Sequence, residues 1–317
     1  MWGESEEVAV LTPNSVLGGR RKSSSWYGSC CSPRRWPTEG LKHLLMSGFQ
    51  EHRYLVVTDL DSSLLDEDYG YAGAEDCLAL MSEMGVPLVF NSSKTYAELR
   101  ALASDVSVCS GVVAENGGMV GPRGNGPLCE AAGDSYGFCC QHSGMSRRRI
   151  LEHVHGIREA CGYRFEGFAD WSVAEVVERT GLSVRGAELA MERESTEPIV
   201  WSDSEGAWNA FVMGLEAVGV RAVRGGRFIH LMGMVDKVGG MRWFSERYAE
   251  AYPEVHWTTV AVGDSENDLA MLEAADIPVV IPHVGGARIK PKHGAARVAN
   301  SPGSAGWGQA VREIITS

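Results

Sequence analysis

From residue 54 onward, short runs of consecutive apolar residues alternate with longer stretches in which apolar residues recur at helical spacing. Apolar runs of this length are typical of strands that a parallel sheet buries on both faces. The first run is Tyr54-Leu55-Val56-Val57, and the stretch from Ala74 to Met84 predicts the first helix. Further strands are predicted at 86–90, 112–114, 257–262 and 277–281. The alternation of strand and helix predicts an α/β fold with a doubly wound parallel sheet.

The alternation breaks off in the middle of the chain, which indicates a second domain. A stretch rich in glycine and proline at 121–127 is typical of a boundary loop. Beyond it, helical and strand patterns occur together as far as residue 219. A clear hairpin follows over 220–231, and its turn is Gly225-Gly226. We therefore predict an inserted domain and a core domain, at 120–232 and at 51–119 together with 233–317.

Residues 1–50 differ from the rest because they show no sustained helical or strand periodicity. Their composition predicts a disordered extension. The segment is rich in serine and arginine, which is also typical of organelle-targeting peptides, but Glu4, Glu6 and Glu7 disfavour that interpretation. Met46 is an alternative start of the chain.

Composition narrows the class of protein. The chain has 317 residues, of which 44% are hydrophobic, so it can form a sizeable core, and its length favours two domains over one. Its formal net charge of -12 disfavours nucleic acid as a partner, because an acidic surface repels the phosphate backbone. The sequence has neither the apolar stretch of about 18 residues that a membrane span needs nor the apolar core of a secretory signal. We expect a soluble, cytoplasmic protein without a membrane partner, and its oligomeric state stays open.

The chain contains 8 cysteines, which include two adjacent pairs but no Cys-x-x-Cys spacing. That spacing is common in zinc sites, and its absence from a chain expected inside the cell also disfavours a disulfide framework. We therefore expect reduced thiols, packed as small apolar side chains.

Two carboxylates, Asp59 and Asp61, follow the first predicted strand. Because they lie two residues apart, the strand period directs both side chains to the same side, at the edge of an open α/β sheet where ligands bind. One carboxylate can attack phosphorus while the other, when protonated, gives a proton to the leaving oxygen. A solvated turn or a helix cap is the alternative for an isolated Asp-x-Asp pair.

A second acidic motif favours the catalytic interpretation, because the residues at 263–268, Gly-Asp-Ser-Glu-Asn-Asp, again place carboxylates after an apolar strand. Two strands that direct acids into one crevice suit Mg²⁺, which takes one or two carboxylates together with water and substrate phosphate. We predict Asp59 and Asp264 as direct ligands and the backbone carbonyl of Asp61 as a third. Asp268, one helical turn after Asp264, is predicted to bind through water or to orient the direct ligands.

Ser92 and Lys237 complete the predicted chemistry. Ser92 ends the second strand, and its hydroxyl, together with N–H groups at a helix start, can hold a phosphoryl oxygen. Lys237 can neutralise the negative charge that develops during phosphoryl transfer. A lysine taken alone is usually a solvated surface residue, so the order and spacing of the whole set carry the prediction.

With these four motifs in order, residues 52–300 resemble the haloacid dehalogenase-like phosphatases, and within them most of all the mannosyl-3-phosphoglycerate phosphatases. The local motifs behind the second similarity are Asn91-Ser92-Ser93-Lys94-Thr95, Glu115-Asn116-Gly117-Gly118, Arg193 to Pro198 and Gly226 to His230. The resemblance implies a Rossmann-like core with an inserted α+β cap, Mg²⁺, and a sugar-linked phosphoglycerate substrate. One departure is Ser62, where the family usually has glycine.

The implied substrate carries a carboxylate beside its phosphate and a sugar beyond it, so its site needs cations and polar groups. Arg193 can bind a carboxylate through two parallel N–H groups. Lys94 and His230 are predicted to add donors, and Glu197 to accept sugar hydroxyls. A solvated run of mixed charges is the alternative for residues 193–197.

We therefore predict hydrolysis of mannosyl-3-phosphoglycerate to mannosylglycerate and phosphate. One alternative is a phosphatase for another sugar phosphate, such as glucosyl-3-phosphoglycerate, sucrose phosphate or trehalose phosphate. A phosphomutase and a phosphosugar-binding or regulatory module are further alternatives, because fold does not fix function. A nucleophile beside a general acid argues against a module that only binds, and phosphate release separates a phosphatase from a mutase.

Overall fold

The structure is a computed structural model that describes residues 51–225 and 227–317, so the extension predicted at 1–50 lies outside the described residues. Within the described residues, eight strands form one sheet and four form another, which we call the large sheet and the small sheet. The strands are β1 (Glu51–Thr58), β2 (Leu88–Asn91), β3 (Cys109–Ala114), β4 (Met119–Pro122), β5 (Gln141–His142), β6 (Phe165–Gly167), β7 (Thr196–Trp201), β8 (Arg221–Arg224), β9 (Ile229–Met232), β10 (Val255–Gly263), β11 (Ile277–Val280) and β12 (Arg297–Val298). The helices are α1 (Glu75–Met84), α2 (Tyr96–Asp105), α3 (Arg147–Cys161), α4 (Val173–Thr180), α5 (Val184–Met191), α6 (Glu205–Ala217), α7 (Lys237–Ala251), α8 (Glu266–Ala274) and α9 (Gly303–Ile315). None of the described helices has both the length and the apolar character that crossing a membrane requires.

The large sheet has the strand order β12-β11-β10-β1-β2-β3-β4-β5. Its strands run parallel from β12 to β3, and β4 and β5 are added antiparallel at one edge. β1 is central, because Val56 pairs with Val260 of β10 on one side and with Leu88 of β2 on the other. Every strand predicted from an apolar run is present, and the predicted α/β fold is confirmed.

Helices cover both faces of the large sheet, and the apolar side chains of β1 point alternately into the two cores between the sheet and the helices. Val56 packs in a buried cluster with α1, α2 and α9, which contributes Trp307. Leu55 and Val57 pack in a second cluster with α8 and with α7, which contributes Phe244. Burying one such side chain contributes about 1.5–3 kcal/mol, so each face supplies its own layer of stabilisation. This is the doubly wound arrangement predicted from the sequence.

The small sheet belongs to an inserted segment, residues 147–232, between β5 and α7. It is antiparallel, with the order β6-β7-β9-β8. The predicted hairpin is confirmed as β8 and β9, in which Arg221 pairs with Met232. Helices α3 and α6 pack on the small sheet around Phe211, and α4 and α5 form a separate cluster around Trp171. The inserted segment therefore has the α+β character that the resemblance implies.

The loop between β4 and β5 contains a disulfide between Cys129 and Cys139, whose Cα atoms lie 6.7 Å apart. The expectation of reduced thiols is wrong for this pair, because the sequence pattern does not record that the loop folds back on itself. It is confirmed for Cys77 and Cys109, which are free and buried. The start of an inserted domain at residue 120 stays a prediction. In the structure, β4 and β5 still belong to the large sheet and extend it to His142.

Candidate active site

Polar side chains gather where the central strands of the large sheet end. Asp59 follows β1, Ser92 follows β2 and Glu115 follows β3, while Asp264 follows β10 on the other side of β1. The carboxyl ends of parallel strands meet at one edge of a sheet, where ligands of open α/β folds bind. Four neighbouring strands therefore supply one crevice.

Asp59, Asp264 and Asp268 are buried, and each offers a carboxylate oxygen within 4.8 Å of the others. Asp268 lies in the first turn of α8, where its Oδ2 accepts hydrogen bonds from two backbone N–H groups, of Asp264 at 3.2 Å and Ser265 at 3.1 Å. The Ser265 hydroxyl donates to the same oxygen at 2.9 Å. These bonds fix the Asp268 carboxylate against the loop that carries Asp264.

Lys237, the first residue of α7, joins two of the three carboxylates. Its Nζ donates to Oδ1 of Asp59 and to Oδ1 of Asp268, both at 2.6 Å, and its side chain is 3% exposed. Burial alone would lower the pKa of Lys237, but the carboxylates of Asp268 and Asp59 raise it above its ordinary value. Asn91 fixes the start of α7, because its Nδ2 donates to the backbone carbonyl of Lys237 at 2.8 Å.

The charges of this cluster do not balance. Burial raises the pKa of Asp59 well above its ordinary value, against the opposing ammonium group of Lys237, and the neighbouring carboxylates add to the rise. Burial also raises the pKa of Asp264, although Nε2 of His283 lies 2.8 Å from its Oδ2. In this cluster of described residues, three buried carboxylates thus surround one buried ammonium group, which contacts two of them. Such a set of hard oxygen donors fits a divalent cation, whose charge would compensate the excess.

Residues 92–95, which we call the β2 loop, lead from β2 into α2. The Ser92 hydroxyl is buried and accepts a hydrogen bond from the Lys94 backbone N–H at 3.2 Å, so its own proton can be donated elsewhere. The Thr95 hydroxyl caps α2 by accepting from the Glu98 N–H at 3.1 Å, and the Glu98 carboxylate accepts from the Thr95 N–H at 2.8 Å. A hydroxyl beside a capped helix start can hold a phosphoryl oxygen.

Asp61 lies outside the buried triad, with a side chain that is 48% exposed. Its Oδ1 pairs with Nζ of Lys94 at 2.9 Å. Burial would lower the pKa of Lys94, but the Asp61 carboxylate raises it above its ordinary value. The ammonium group also lies 4.8 Å from the centre of the Tyr69 ring. The structure thus brings together Lys94 and the residue predicted as general acid.

Ser62 has a φ of 60°, which is a left-handed backbone conformation. That conformation costs a residue with a Cβ about 1–2 kcal/mol, whereas glycine adopts it freely. The glycine that is usual here in the family is therefore explained by the backbone, and Ser62 adopts the conformation that glycine favours at the expense of some strain.

Arg193 begins the arginine loop, which we define as residues 193–195 together with Thr196, the first residue of β7. The Arg193 side chain is 6% exposed, and the guanidinium carbon lies 5.4 Å from the centre of the Phe168 ring. Its Nη1 donates to the Thr196 hydroxyl at 2.8 Å and to the Ser93 carbonyl at 3.4 Å. Its Nε is buried and has no hydrogen-bond partner among the described residues. The guanidinium therefore reaches the β2 loop and keeps an unpaired N–H group.

His230 lies on β9, opposite Pro198 of β7. Burial lowers the pKa of His230 to about 3, and the guanidinium of Arg193 contributes to this shift, so the imidazole is neutral. Its Nδ1 is buried without a hydrogen-bond partner in the described part of the chain. A neutral imidazole with a free ring nitrogen can make one further hydrogen bond to a ligand.

Glu197 is almost fully buried, and protein donors occupy both of its carboxylate oxygens. Its Oε2 accepts from Nε of Arg147 at 2.8 Å and from Nη2 at 2.7 Å. Its Oε1 accepts from the Ala169 N–H at 2.7 Å. Oε1 accepts only this one hydrogen bond and keeps acceptor capacity, so the contact of Glu197 with sugar hydroxyls stays a prediction.

Two residues at the crevice, His283 and Glu115, received no predicted role from the sequence, although Glu115 begins one of the motifs that carry the resemblance. His283 comes shortly after β11, the neighbour of β10, and hydrogen-bonds Asp264. Glu115 directly follows β3, and its carboxylate accepts from the N–H groups of Glu194 and Ser195. The rule that located Asp59, a polar residue after an apolar strand, also applies to Glu115, whereas Ile281 and Pro282 separate His283 from the end of β11.

No family model matches the chain. Individual known proteins are similar to it over most of its length. The chain is 32% identical over 268 residues to a glucosyl-3-phosphoglycerate/mannosyl-3-phosphoglycerate phosphatase of Methanococcoides burtonii, which covers 83% of this chain and 97% of that protein. It is 33% identical over 267 residues to a protein of the same name from Persephonella marina, with coverage of 82% and 97%. A solved haloacid dehalogenase-like hydrolase from Bacteroides thetaiotaomicron shares the fold, with a TM-score of 0.57 and 15% identity over 83% of this chain and 99% of that one.

Proposed function

This chain belongs to the family of glucosyl-3-phosphoglycerate/mannosyl-3-phosphoglycerate phosphatases in the haloacid dehalogenase-like superfamily, and we propose that it hydrolyses mannosyl-3-phosphoglycerate to mannosylglycerate and phosphate. It is a phosphoric monoester hydrolase of the sugar-phosphatase type. Glucosyl-3-phosphoglycerate is the alternative substrate, and both molecules share the phosphoglycerate part. The observation that carries the proposal is the Arg193 guanidinium, whose Nη1 donates to the Ser93 carbonyl in the β2 loop and whose Nε has no partner among the described residues.

Arg193 is suited to read the carboxylate of a phosphoglycerate. Nη1 makes the bonds to Thr196 and Ser93, and Nε, which shares the opposite edge of the guanidinium with Nη2, has no partner among the described residues. That edge presents two parallel N–H groups, which match a carboxylate. In 3-phosphoglycerate one carbon separates the carboxylate from the carbon that bears the phosphate. Nη1 of Arg193 contacts the residue after Ser92. We therefore expect the guanidinium to reach the carboxylate of a phosphoglycerate whose phosphate is held by Ser92.

Asp59 and Asp61 carry the proposed chemistry. In the first step an Asp59 oxygen attacks phosphorus, the bond from phosphorus to the glycerate oxygen breaks, and Asp61 gives that oxygen its proton. In the second step Asp61 takes a proton from water while the water oxygen attacks phosphorus, which releases inorganic phosphate and restores Asp59. Lys237, 2.6 Å from Asp59, stabilises the negative charge that develops in both steps.

The proposed cofactor is Mg²⁺, held by Asp59, Asp264 and the Asp61 carbonyl, with Asp268 orienting them. The buried oxygens of the three side chains lie within 4.8 Å of one another, which suits a small, hard cation. When bound, the ion supplies positive charge to the phosphoryl oxygens.

Replacing Asp264 and replacing Asp268 should change the affinity for Mg²⁺ in different ways. Asp264→Ala should lose a direct ligand, whereas Asp268→Ala should weaken Mg²⁺ affinity by roughly 10- to 100-fold through loss of orientation. Calorimetric Mg²⁺ titrations and phosphate release at rising Mg²⁺ would measure this, and excess Mg²⁺ should rescue Asp268→Ala better. Rescue in the reverse order, or full wild-type activity in a chelator, would contradict the assignment.

A phosphate-release screen tests the proposed substrate directly. We expect the highest kcat/KM on mannosyl-3-phosphoglycerate or glucosyl-3-phosphoglycerate, and a lower value on sucrose phosphate and trehalose phosphate, which lack the glycerate carboxylate. Release of inorganic phosphate distinguishes hydrolysis from a mutase reaction. A preference for a substrate without the carboxylate would leave only the general sugar-phosphatase function.

Arg193→Ala should reduce kcat/KM on the phosphoglycerate substrate selectively. A charge-assisted hydrogen bond contributes about 1.5–3 kcal/mol, which corresponds to a loss of roughly 10- to 150-fold. An aryl phosphate without a carboxylate should lose much less. Arg100→Ala is a matched control, because Arg100 makes an exposed ion pair with Glu192. Equal losses of Arg193→Ala on both substrates would refute carboxylate recognition.

A further inference from the structure

We propose that Glu115 is a positioning residue that fixes the distance between the Ser92 hydroxyl and the Arg193 guanidinium, and so selects substrates whose carboxylate lies close to the phosphate. The inference rests on the function proposed above. In this role Glu115 touches no substrate atom and determines specificity through two loops.

The Glu115 carboxylate is fully buried and is bound by the arginine loop. Its Oε1 accepts from the Glu194 N–H at 2.8 Å, and its Oε2 accepts from the Ser195 N–H at 3.0 Å. The Thr196 hydroxyl donates to Oε2 at 2.7 Å. A buried carboxylate with three donors is held firmly, and in turn it fixes the backbone of the loop that carries the donors.

Thr196 relays this constraint to Arg193. The Thr196 hydroxyl donates a hydrogen bond to Glu115 and accepts one from Nη1 of Arg193 at 2.8 Å. Nη1 also lies 4.0 Å from Oε2 of Glu115, so the two opposite charges attract each other in a buried setting. With Nη1 engaged in this way, the other edge of the guanidinium, which contains the unpaired Nε, is oriented for a ligand.

The backbone of Glu115 is bound to the β2 loop at the same time. The Glu115 N–H donates to the Lys94 carbonyl and the Asn116 N–H donates to the Ser92 carbonyl, both at 2.9 Å. Glu115 and Asn116 have φ values of 51° and 56°, so residues with a Cβ adopt the left-handed conformation at two successive positions. Strain of this kind persists only where surrounding contacts enforce it, and it is common at functional sites.

Gly117 completes this rigid turn with a φ of 95°. A Cβ at Gly117 would lie 2.1 Å from the carbonyl oxygen of Asp236, the residue that precedes Lys237. The turn therefore packs closely against the start of α7 and cannot move toward it. One residue, Glu115, thus links a fixed turn to the β2 loop through its backbone and to the arginine loop through its side chain.

Glu115→Gln tests the inference, because the amide keeps the size of the side chain but places an NH₂ group against N–H or O–H donors. We expect KM for mannosyl-3-phosphoglycerate to rise by about 10-fold or more, while kcat/KM for an aryl phosphate changes by less than about 3-fold. Thr196→Val breaks only the relay and should show the same selective rise. Glu192→Gln, at an exposed glutamate beside the same loop, is the matched control, and thermal unfolding checks that each variant is folded.

A double variant separates positioning from a general structural role. If Glu115 acts through Arg193, Glu115→Gln should change KM by less than about 2-fold when Arg193 is already alanine. Additive losses in the double variant, or equal losses of Glu115→Gln on both substrates, would overturn the inference while leaving the proposed function intact. A wild-type enzyme that does not prefer the phosphoglycerate substrate would overturn the proposed function and this role of Glu115 together.

Discussion

Asp59→Asn should lower the rate of phosphate release by at least about 1,000-fold, because an amide cannot form the aspartyl-phosphate. The variant should still fold, since the amide oxygen of asparagine can accept the bond that Lys237 now donates to Oδ1 of Asp59 at 2.6 Å. Rapid acid quench followed by peptide mass spectrometry should detect a phosphoryl group on Asp59 in the wild type and none in the variant.

Asp105→Asn is the matched control for this experiment, because Asp105 is an exposed aspartate at the end of α2. Its activity should equal that of the wild type. If Asp59→Asn kept more than about a hundredth of wild-type activity, a loss below about 2.7 kcal/mol in barrier height, the nucleophile assignment would be wrong.

Lys237→Met should reduce both stability and activity. Removing the ammonium leaves the carboxylates of Asp59 and Asp268 buried without their charged partner, and the loss of one member of a buried pair costs about 3–5 kcal/mol in the free energy of unfolding. Activity should fall by roughly 100- to 1,000-fold, because the positive charge at the reacting phosphoryl group is lost. Urea unfolding and phosphate release under saturating Mg²⁺ would measure the two effects.

A second substitution separates the two effects of Lys237. The double variant Lys237→Met with Asp268→Asn removes one of the buried charges, so it should recover part of the lost stability. It should not recover activity, because the ammonium group is still missing. Recovery of activity together with stability would show that Lys237 serves only the fold.

The strands show how much of this fold can be predicted from the sequence. The runs at 54–57 and 257–262 predict β1 and β10, because the part of a strand that is buried on both faces consists mostly of apolar residues. β5 and β12 left no such signal. Each has 2 residues, both exposed, so burial does not constrain their composition.

Some features of the candidate site can likewise be predicted from the sequence, and others cannot. Asp59, Ser92 and Asp264 could be found because a local rule applies to each, a polar residue directly after an apolar strand. The contact of Glu115 with Thr196 joins residues 81 positions apart, and no local pattern records it. The same holds for the pairing of Arg147 with Glu197, which determines how far Glu197 is available to a ligand.

The ion pair between Asp59 and Lys237 joins residues 178 positions apart in the chain, and this separation has a consequence for biosynthesis. The ribosome makes β1 long before β10 and α7, so the side of β1 that later receives β10 stays unpaired for most of translation. Contacts of such long range form slowly, because the entropy of closing the intervening chain must be overcome first. Asp59 acquires its charged partner only after the first 237 of the 317 residues have been made, so we expect a chain that ends before Lys237 to lack phosphatase activity.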